Sequence, residues 1–251
     1  MRVAVLQSTS PMGDIDAACA LAERALAAAG AMGATVLVLP EVWLPGYNNP
    51  GITRLALAND SPPLRRLAVA TRAARCALVM GYAEAAEGAI WNSAICLDAT
   101  GQTLANYRKV QLYGAREKAL YQPGTAYVTF ELAGAKAAIL ICYDIEFAPH
   151  VKALADQGVT LICVPTANMA PFTHVVRYTV PAMAANHGVA IAYANYCGSE
   201  GDLTYVGGSQ IVGPHGEVLA LAGEGAALLI ADIPNADPAR VSTQSRDLKR
   251  L

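Results

Sequence analysis

The sequence is poor in charge and in aromatic rings. Of its 251 residues, 15% are Asp, Glu, Lys or Arg and 6% are Phe, Trp or Tyr. Beside a hydrophobic fraction of 54%, so little charge excludes an intrinsically disordered chain and points to a compact, heavily buried fold. The net charge is −2 and the positive residues are dispersed. There is no basic stripe for nucleic acid and no polybasic patch for a membrane surface, so neither is an expected partner. No apolar segment reaches the roughly 18 residues of a membrane-crossing helix without meeting a charge or a turn former. The opening Met-Arg-Val-Ala-Val-Leu is too short an apolar run for a signal peptide, and a cytoplasmic enzyme is the expectation.

Paired cysteine motifs are missing as well. The six cysteines stand at positions 19, 76, 96, 142, 163 and 197, and none forms a CxxC pair. Their spacing excludes a small disulfide scaffold. Cys76, Cys96, Cys163 and Cys197 lie in or beside apolar runs and read as small buried hydrophobes. There is no linker-like segment and no repeat of fixed period, so a single domain over residues 1–251 is expected.

What is present is an alternation of apolar runs and helical periodicity. Residues 2–8 read as a buried strand, 14–32 as an Ala-rich helix with Asp14 or Asp16 as candidate cap, and 35–39 as a second strand. This β-α-β start resembles a crossover unit. A Pro/Gly-rich loop (45–51) precedes a helix over 62–75. Strands are expected at 76–83, 89–97 and 103–109, the last two joined by the turn Asp98-Ala99-Thr100-Gly101. A strand pair at 126–133 and 135–142 follows, then helix 147–157, strand 159–164, helix 174–187 and strand 189–196. Strands 206–213 and 216–221 flank Gly213-Pro214-His215-Gly216, a last strand lies near 226–233, and the polar tail 234–251 reads as irregular. The pattern predicts an α/β fold of two mixed sheets covered by helices on both outer faces, a four-layer αββα sandwich.

Three chemically active side chains share one local setting. Glu41 follows TVLVLP, Lys109 ends TLANYRK and Cys142 ends AAILIC, so each falls at the C-terminal end of an expected strand, where ligands gather in α/β sheets. A thiol becomes a nucleophile when it loses its proton, a carboxylate can take that proton, and an ammonium can stabilise charge on a carbonyl oxygen. Together they suit acyl transfer through a thioester. Taken singly, the same residues have plainer explanations: a solvated loop glutamate, a surface lysine beside Arg108, and a core cysteine.

Leu39-Pro40-Glu41, Tyr107-Arg108-Lys109 and Cys142-Tyr143-Asp144 resemble, in order and spread, the three motifs of the nitrilase superfamily of carbon–nitrogen hydrolases. Trp91-Asn92-Ser93, Pro165-Thr166-Ala167-Asn168 and Gly208-Ser209 ahead of the PHGE turn look like further landmarks, so the resemblance covers nearly the whole chain. It implies the αββα sandwich, a Glu-Lys-Cys triad, neither metal nor organic cofactor, and a homodimer or higher homo-oligomer. The chain lacks the longer Arg-rich tail that reaches across the dimer in many members; that departure bears on the oligomer and not on the triad. Carried over, Glu41 is the base, Cys142 the nucleophile, and Lys109 with the backbone N–H of Tyr143 the oxyanion partners. Many members carry a second glutamate after the Lys motif, and Glu117 fits that role; its plainer explanation is an exposed carboxylate between Arg116 and Lys118.

The expected activity is that of an amidase acting on a small carboxamide, with a nitrilase or N-carbamoyl-amine hydrolase using the same residues as alternative. A catalytically silent protein on this fold would be expected to have lost a triad residue, and all three are present. Several relatives acting on acid-bearing substrates have Arg where this chain has Glu146, so a neutral or amine-bearing substrate is expected. The plainer role of Glu146 is to cap the following helix or to pair with a nearby cation. Tyr47, Tyr113 and Trp43 are candidate pocket walls, with an ordinary core aromatic as an equal reading for Trp43; Asn168 is a candidate for ordering the loop at the thiol, or makes a turn hydrogen bond. His150, His174, His187 and His215 have no accompanying motif and read as structural or surface residues; no Gly-x-Cys-x-Gly elbow surrounds Cys142.

Overall fold

A computed structural model describes residues 1–249; Arg250 and Leu251, the end of the tail, lie outside the described residues. The opening crossover unit is as expected. β1 (Arg2–Gln7) and β2 (Val36–Val38) pair in parallel, with Val3 opposite Val36, and α1 (Ile15–Ala31) connects them. Of the two candidate caps, Asp14 accepts from the Ala17 N–H at 2.9 Å and caps α1. A short helix α2 (Ile52–Leu55) falls just after the 45–51 loop and was not expected. α3 (Pro62–Ala74) starts on two prolines and ends where Arg75 turns left-handed, with φ +52°. β3 (Ala77–Ala86), β4 (Ala89–Leu97) and β5 (Thr103–Arg108) continue the first sheet. Asp98 Oδ1 accepts from the N–H groups of Thr100 (2.7 Å) and Gln102 (2.9 Å), which builds the predicted turn between β4 and β5.

The charged stretch after β5 folds into α4 (Gly114–Leu120), which the sequence did not announce. The second sheet begins with β6 (Thr129–Leu132) and β7 (Ala135–Ile139). α5 (Ala148–Asp156), β8 (Leu161–Pro165), α6 (Val180–His187) and β9 (Ala190–Ala194) follow. The helix expected over 174–187 is divided: Val175–Thr179 forms a wide π-type turn before α6, which has Pro181 in its first turn. A small hairpin, β10 (Ser199–Glu200) and β11 (Leu203–Thr204), precedes β12 (Gln210–Val212) and β13 (Val218–Leu221). β14 (Ala227–Asp232) returns to pair antiparallel with β1, and a short α7 (Gln244–Asp247) interrupts the tail expected to be irregular.

The two six-stranded sheets have the orders β14-β1-β2-β3-β4-β5 and β13-β12-β9-β8-β7-β6, each mixing parallel and antiparallel pairs. Alternation along the strands decides which way each residue faces. Val3, Val5, Val36, Val38 and Val79 share one apolar cluster with Ile139, Ile162, Val164 and Ile191 of the other sheet, and this cluster extends to Val151 of α5 and Ala184 of α6. Their neighbours Ala4, Leu6, Leu37, Leu78 and Met80 pack with Leu26 of α1 and with Leu64 and Leu67 of α3. The result is the expected αββα layering. Each fully buried Leu, Ile or Val removes apolar surface worth about 1.5–3 kcal/mol from water. No helix among the described residues is long and apolar enough to cross a membrane.

Candidate active site

The segment after β2 does not leave the sheet at once. Leu39 N–H donates to Val79 O (2.9 Å) and Gly81 N–H to Pro40 O (3.2 Å), so the chain runs on beside β3 as far as Glu41. Glu41 is then pinned from the opposite sheet: its N–H donates to Thr166 O (3.2 Å) and its carbonyl accepts from Tyr196 Oη (2.9 Å). The next residue, Val42, has φ +44°, a costly conformation for a β-branched side chain. Cys142 is likewise left-handed, at φ +47°. The strand expected to run to Cys142 stops at Ile139, and Cys142 opens a tight 3₁₀ turn, Cys142–Glu146. That conformation cannot continue a strand, which is why the apolar run AAILIC overstates β7.

Glu41, Lys109 and Glu117 are brought together in the interior, each no more than 1% exposed. Lys109 Nζ donates to Glu41 Oε1 at 2.6 Å and to Glu117 Oε1 at 2.8 Å. Asn92, in the Trp91-Asn92-Ser93 landmark, adds a bond from Nδ2 to Glu41 Oε1 at 2.7 Å. Glu117 also accepts from Tyr47 Oη (2.7 Å) and from the Tyr113 N–H (2.8 Å). The short α4 therefore turns Glu117 inward while Arg116 turns outward to the carbonyl of Tyr47. The plainer explanation of Glu117 as an exposed carboxylate does not hold: the charged stretch is a helix with one buried carboxylate.

Burial raises Glu41 to a pKa of about 7; Lys109 pulls the other way and Glu117 pushes with burial. Burial works against the Lys109 ammonium, but the Glu117 and Glu41 carboxylates override it and hold the group firmly protonated. Burial, and then the Glu41 charge, push the Cys142 thiol up, while Lys109, the Thr166 side chain and the Ala167 backbone favour its thiolate. At neutral pH the thiol keeps its proton until a base takes it. Lys109 has three donors and uses two, so one remains for an oxyanion. The Tyr143 N–H lies in the first turn of the 3₁₀ segment, where no acceptor precedes it.

Asp144 locks the Lys and Cys motifs together. Its carboxylate accepts from Tyr107 Oη (2.8 Å), Ile141 N–H (2.9 Å) and Gln111 N–H (2.7 Å). A small cavity of about 30 Å³ opens onto Cys142 and is lined by Tyr47, Tyr113, Tyr143, Glu146, Asn168, Met169 and Phe172. All the pocket residues expected from sequence except Trp43 are therefore on its wall. Trp43 is instead core: it is fully buried, stacks on Tyr196 with ring centroids 6.1 Å apart, and donates from Nε1 to Ala18 O at 3.2 Å. Asn168 orders its loop, donating from Nδ2 to Phe172 O (3.1 Å) and from its N–H to Asn195 Oδ1 (2.8 Å). Glu146 neither caps α5 nor forms an ion pair among the described residues.

Several residues that line the cavity or brace its loops escaped the sequence. Phe172 and Met169 had no motif, and Asn195 lies outside every landmark. Glu200 is 3% exposed and accepts from the Asn48 N–H (2.9 Å) and Tyr205 Oη (2.6 Å), which anchors the loop bearing Tyr47. His174 is exposed, as the sequence suggests, and its imidazole lies close enough to Glu146 to influence that carboxylate.

The sequence model of the family described as carbon-nitrogen hydrolase matches residues 2–241. The protein described as "Hydrolase in pqqF 5'region" of Pseudomonas protegens is 40% identical over 254 aligned residues, covering 100% of this chain and 87% of that one. An (R)-stereoselective amidase of Pseudomonas sp is 33% identical over 75% of this chain and 69% of its own length. An amidase from Nesterenkonia sp. superposes with a TM-score of 0.90 at 34% identity, over 99% of this chain and 93% of that one. Structures of that amidase hold acrylamide or butyramide, and one carries the acetamide moiety of fluoroacetamide covalently added at its active-site cysteine. With its sandwich, its buried Glu-Lys-Glu cluster and a thiol at the adjoining cavity, this chain belongs to the carbon-nitrogen hydrolase family, within the nitrilase superfamily.

Proposed function

We propose that the protein is an amidase that hydrolyses small carboxamides to the carboxylic acid and ammonia through a thioester on Cys142. The observation that carries this is the hydrogen-bonding state of Glu41. Lys109 and Asn92 both bind Oε1, and Oε2 is buried with no partner among the described residues. That free oxygen is the base. It takes the Cys142 proton, and the thiolate attacks the amide carbon. The oxyanion is held by the third Lys109 donor and the Tyr143 N–H. Glu41 returns the proton to the departing nitrogen, the C–N bond breaks, and ammonia leaves the acyl group on sulfur. Water, deprotonated by Glu41, then attacks the thioester; the acid departs and the proton returns to the thiol. Glu117 fixes Lys109 against Glu41 and holds its charge in place. The amides bound by the Nesterenkonia amidase support a small carboxamide as substrate, and the nitrilase alternative is not favoured.

The match over residues 2–241 supports one catalytic unit spanning the chain. Six free cysteines support a reducing compartment, the cytoplasm. Tyr178, Val218 and Leu221 are exposed apolar side chains around one groove, which supports a contact between subunits of a homo-oligomer.

The test is covalent trapping beside turnover. The wild type is expected to release ammonia from propionamide. Glu41→Gln treated with fluoroacetamide is expected to gain one acetamide group on Cys142, with fluoride displaced, in peptide mass mapping. Cys142→Ala should show neither turnover nor adduct at an unchanged circular dichroism spectrum. Turnover that survives in Cys142→Ala refutes the assignment.

A further inference from the structure

The cavity at Cys142 has one feature that amide hydrolysis does not require. Glu146 stands on its wall with the thiol, half-buried, and makes no hydrogen bond or ion pair with any described residue. The other acidic groups around it each have hydrogen-bond donors: Glu41 and Glu117 share Lys109, and Asp144 has three donors. The basic groups that act on Glu146 are His174, which is exposed, and Lys109, whose ammonium is already held by two carboxylates. Removing a carboxylate from water without a partner is unfavourable, and burial accordingly raises the Glu146 pKa.

The rest of the wall is aromatic. Tyr113 meets Tyr143 and Phe172 edge-on, with ring centroids 5.3 and 5.9 Å apart. A lone carboxylate among aromatic rings complements one kind of group, a cation with N–H donors and some apolar surface. It repels a second carboxylate. Because Glu146 and Cys142 line the same small cavity, the cation and the amide carbon must belong to one short molecule.

We propose that Glu146 binds an ammonium group of the substrate, and that the preferred substrates are amides of small amino acids. This rests on the amidase function proposed above and adds the substrate class. Glu146 anchors the amine, the rings of Tyr113 and Phe172 flank it, and the carboxamide is left facing the thiol.

Alaninamide and isobutyramide test this directly, since they differ by an ammonium in place of a methyl group. At pH 7, wild-type kcat/KM measured by ammonia release is expected to favour alaninamide by roughly tenfold or more, the size expected for a hydrogen bond between charged groups. Glu146→Gln keeps the side-chain volume and is expected to bring the ratio close to one. A wild-type ratio of one or less, or a ratio unmoved by Glu146→Gln, overturns the proposal. Calorimetric binding of both amides to Cys142→Ala makes the same comparison without turnover and does not depend on the Glu146 variant folding. Tighter alaninamide binding without wild-type turnover would leave the amine site and remove the amidase function. Turnover of both amides at equal efficiency would do the reverse.

Discussion

Lys109 Nζ lies 2.6 Å from Oε1 of Glu41, and this contact leaves the other carboxylate oxygen, Oε2, buried and without a partner among the described residues. The oxygen we propose as proton acceptor is thus distinct from the one that holds the lysine. Burial lifts the Glu41 pKa to about 7, with Lys109 opposing. A base works only when ionised, so kcat/KM is expected to rise with pH through about 7 and to fall away below it. Asn92→Ala removes a bond that favours the carboxylate and should move this limb to higher pH. A pH–rate profile of both proteins checks it; an acidic limb left near 4.5, the ordinary value for a glutamate, would contradict the assignment of Glu41 as base.

Two carboxylates share one ammonium here, so Lys109 also matters for stability. Lys109→Met leaves Glu41 and Glu117 buried with no cation. Removing one partner of a buried ion pair costs about 3–5 kcal/mol. The Glu41 pKa, already raised in the folded state, rises further without the lysine. A carboxylate raised on folding favours the native state below its unfolded pKa, and that contribution is lost as pH rises through the folded value. The variant should therefore lose most stability above pH 7, about 3–5 kcal/mol, and less near pH 5, where Glu41 is protonated in the fold. Urea unfolding at the two pH values measures this; equal losses at both would show that the cost is packing alone.

Much of this arrangement was legible in the sequence because local pattern decided it. Val3, Val5, Val36 and Val38 alternate with residues facing the helices, so the period of two marks β1 and β2 directly. The motifs around Glu41, Lys109 and Cys142 pointed to the Glu-Lys pair and to the thiol on the cavity wall, although each alone had a plainer explanation. What escaped depends on distant partners. Trp43 is core because Tyr196 stacks on it from far along the chain. Glu117 is expected as the second glutamate from the resemblance alone; its neighbours Arg116 and Lys118 give no local sign of its burial, which comes when a short helix turns it onto Lys109. Glu200 carries no motif, and its burial follows from the β10–β11 hairpin meeting the Tyr47 loop. The end of β7 was misplaced because the positive φ of Cys142 leaves no mark in an apolar run.

Gly81 shows how closely the site is fitted to the sheet. A Cβ at this position would lie 2.4 Å from Val42 N, 2.7 Å from Glu41 Cα and 2.8 Å from the Glu41 carbonyl carbon. These are backbone atoms, so no side chain can swing aside to make room. The same segment is held to β3 by the bonds from Gly81 N–H to Pro40 O (3.2 Å) and from Leu44 N–H to Gly81 O (3.4 Å). Gly81→Ala must therefore displace Glu41 itself. A catalytic group moved by about 1 Å loses on the order of 10²-fold in rate. The expected result is a fall of that size in kcat with a smaller change in KM, because the cavity wall at Tyr113, Tyr143 and Phe172 is untouched. Gly223→Ala is the matched control, since a Cβ there meets nothing within 4 Å. Unchanged kcat in Gly81→Ala would mean that β3 yields without moving Glu41, and that the base tolerates a looser seat than its bonds to Lys109 and Asn92 imply.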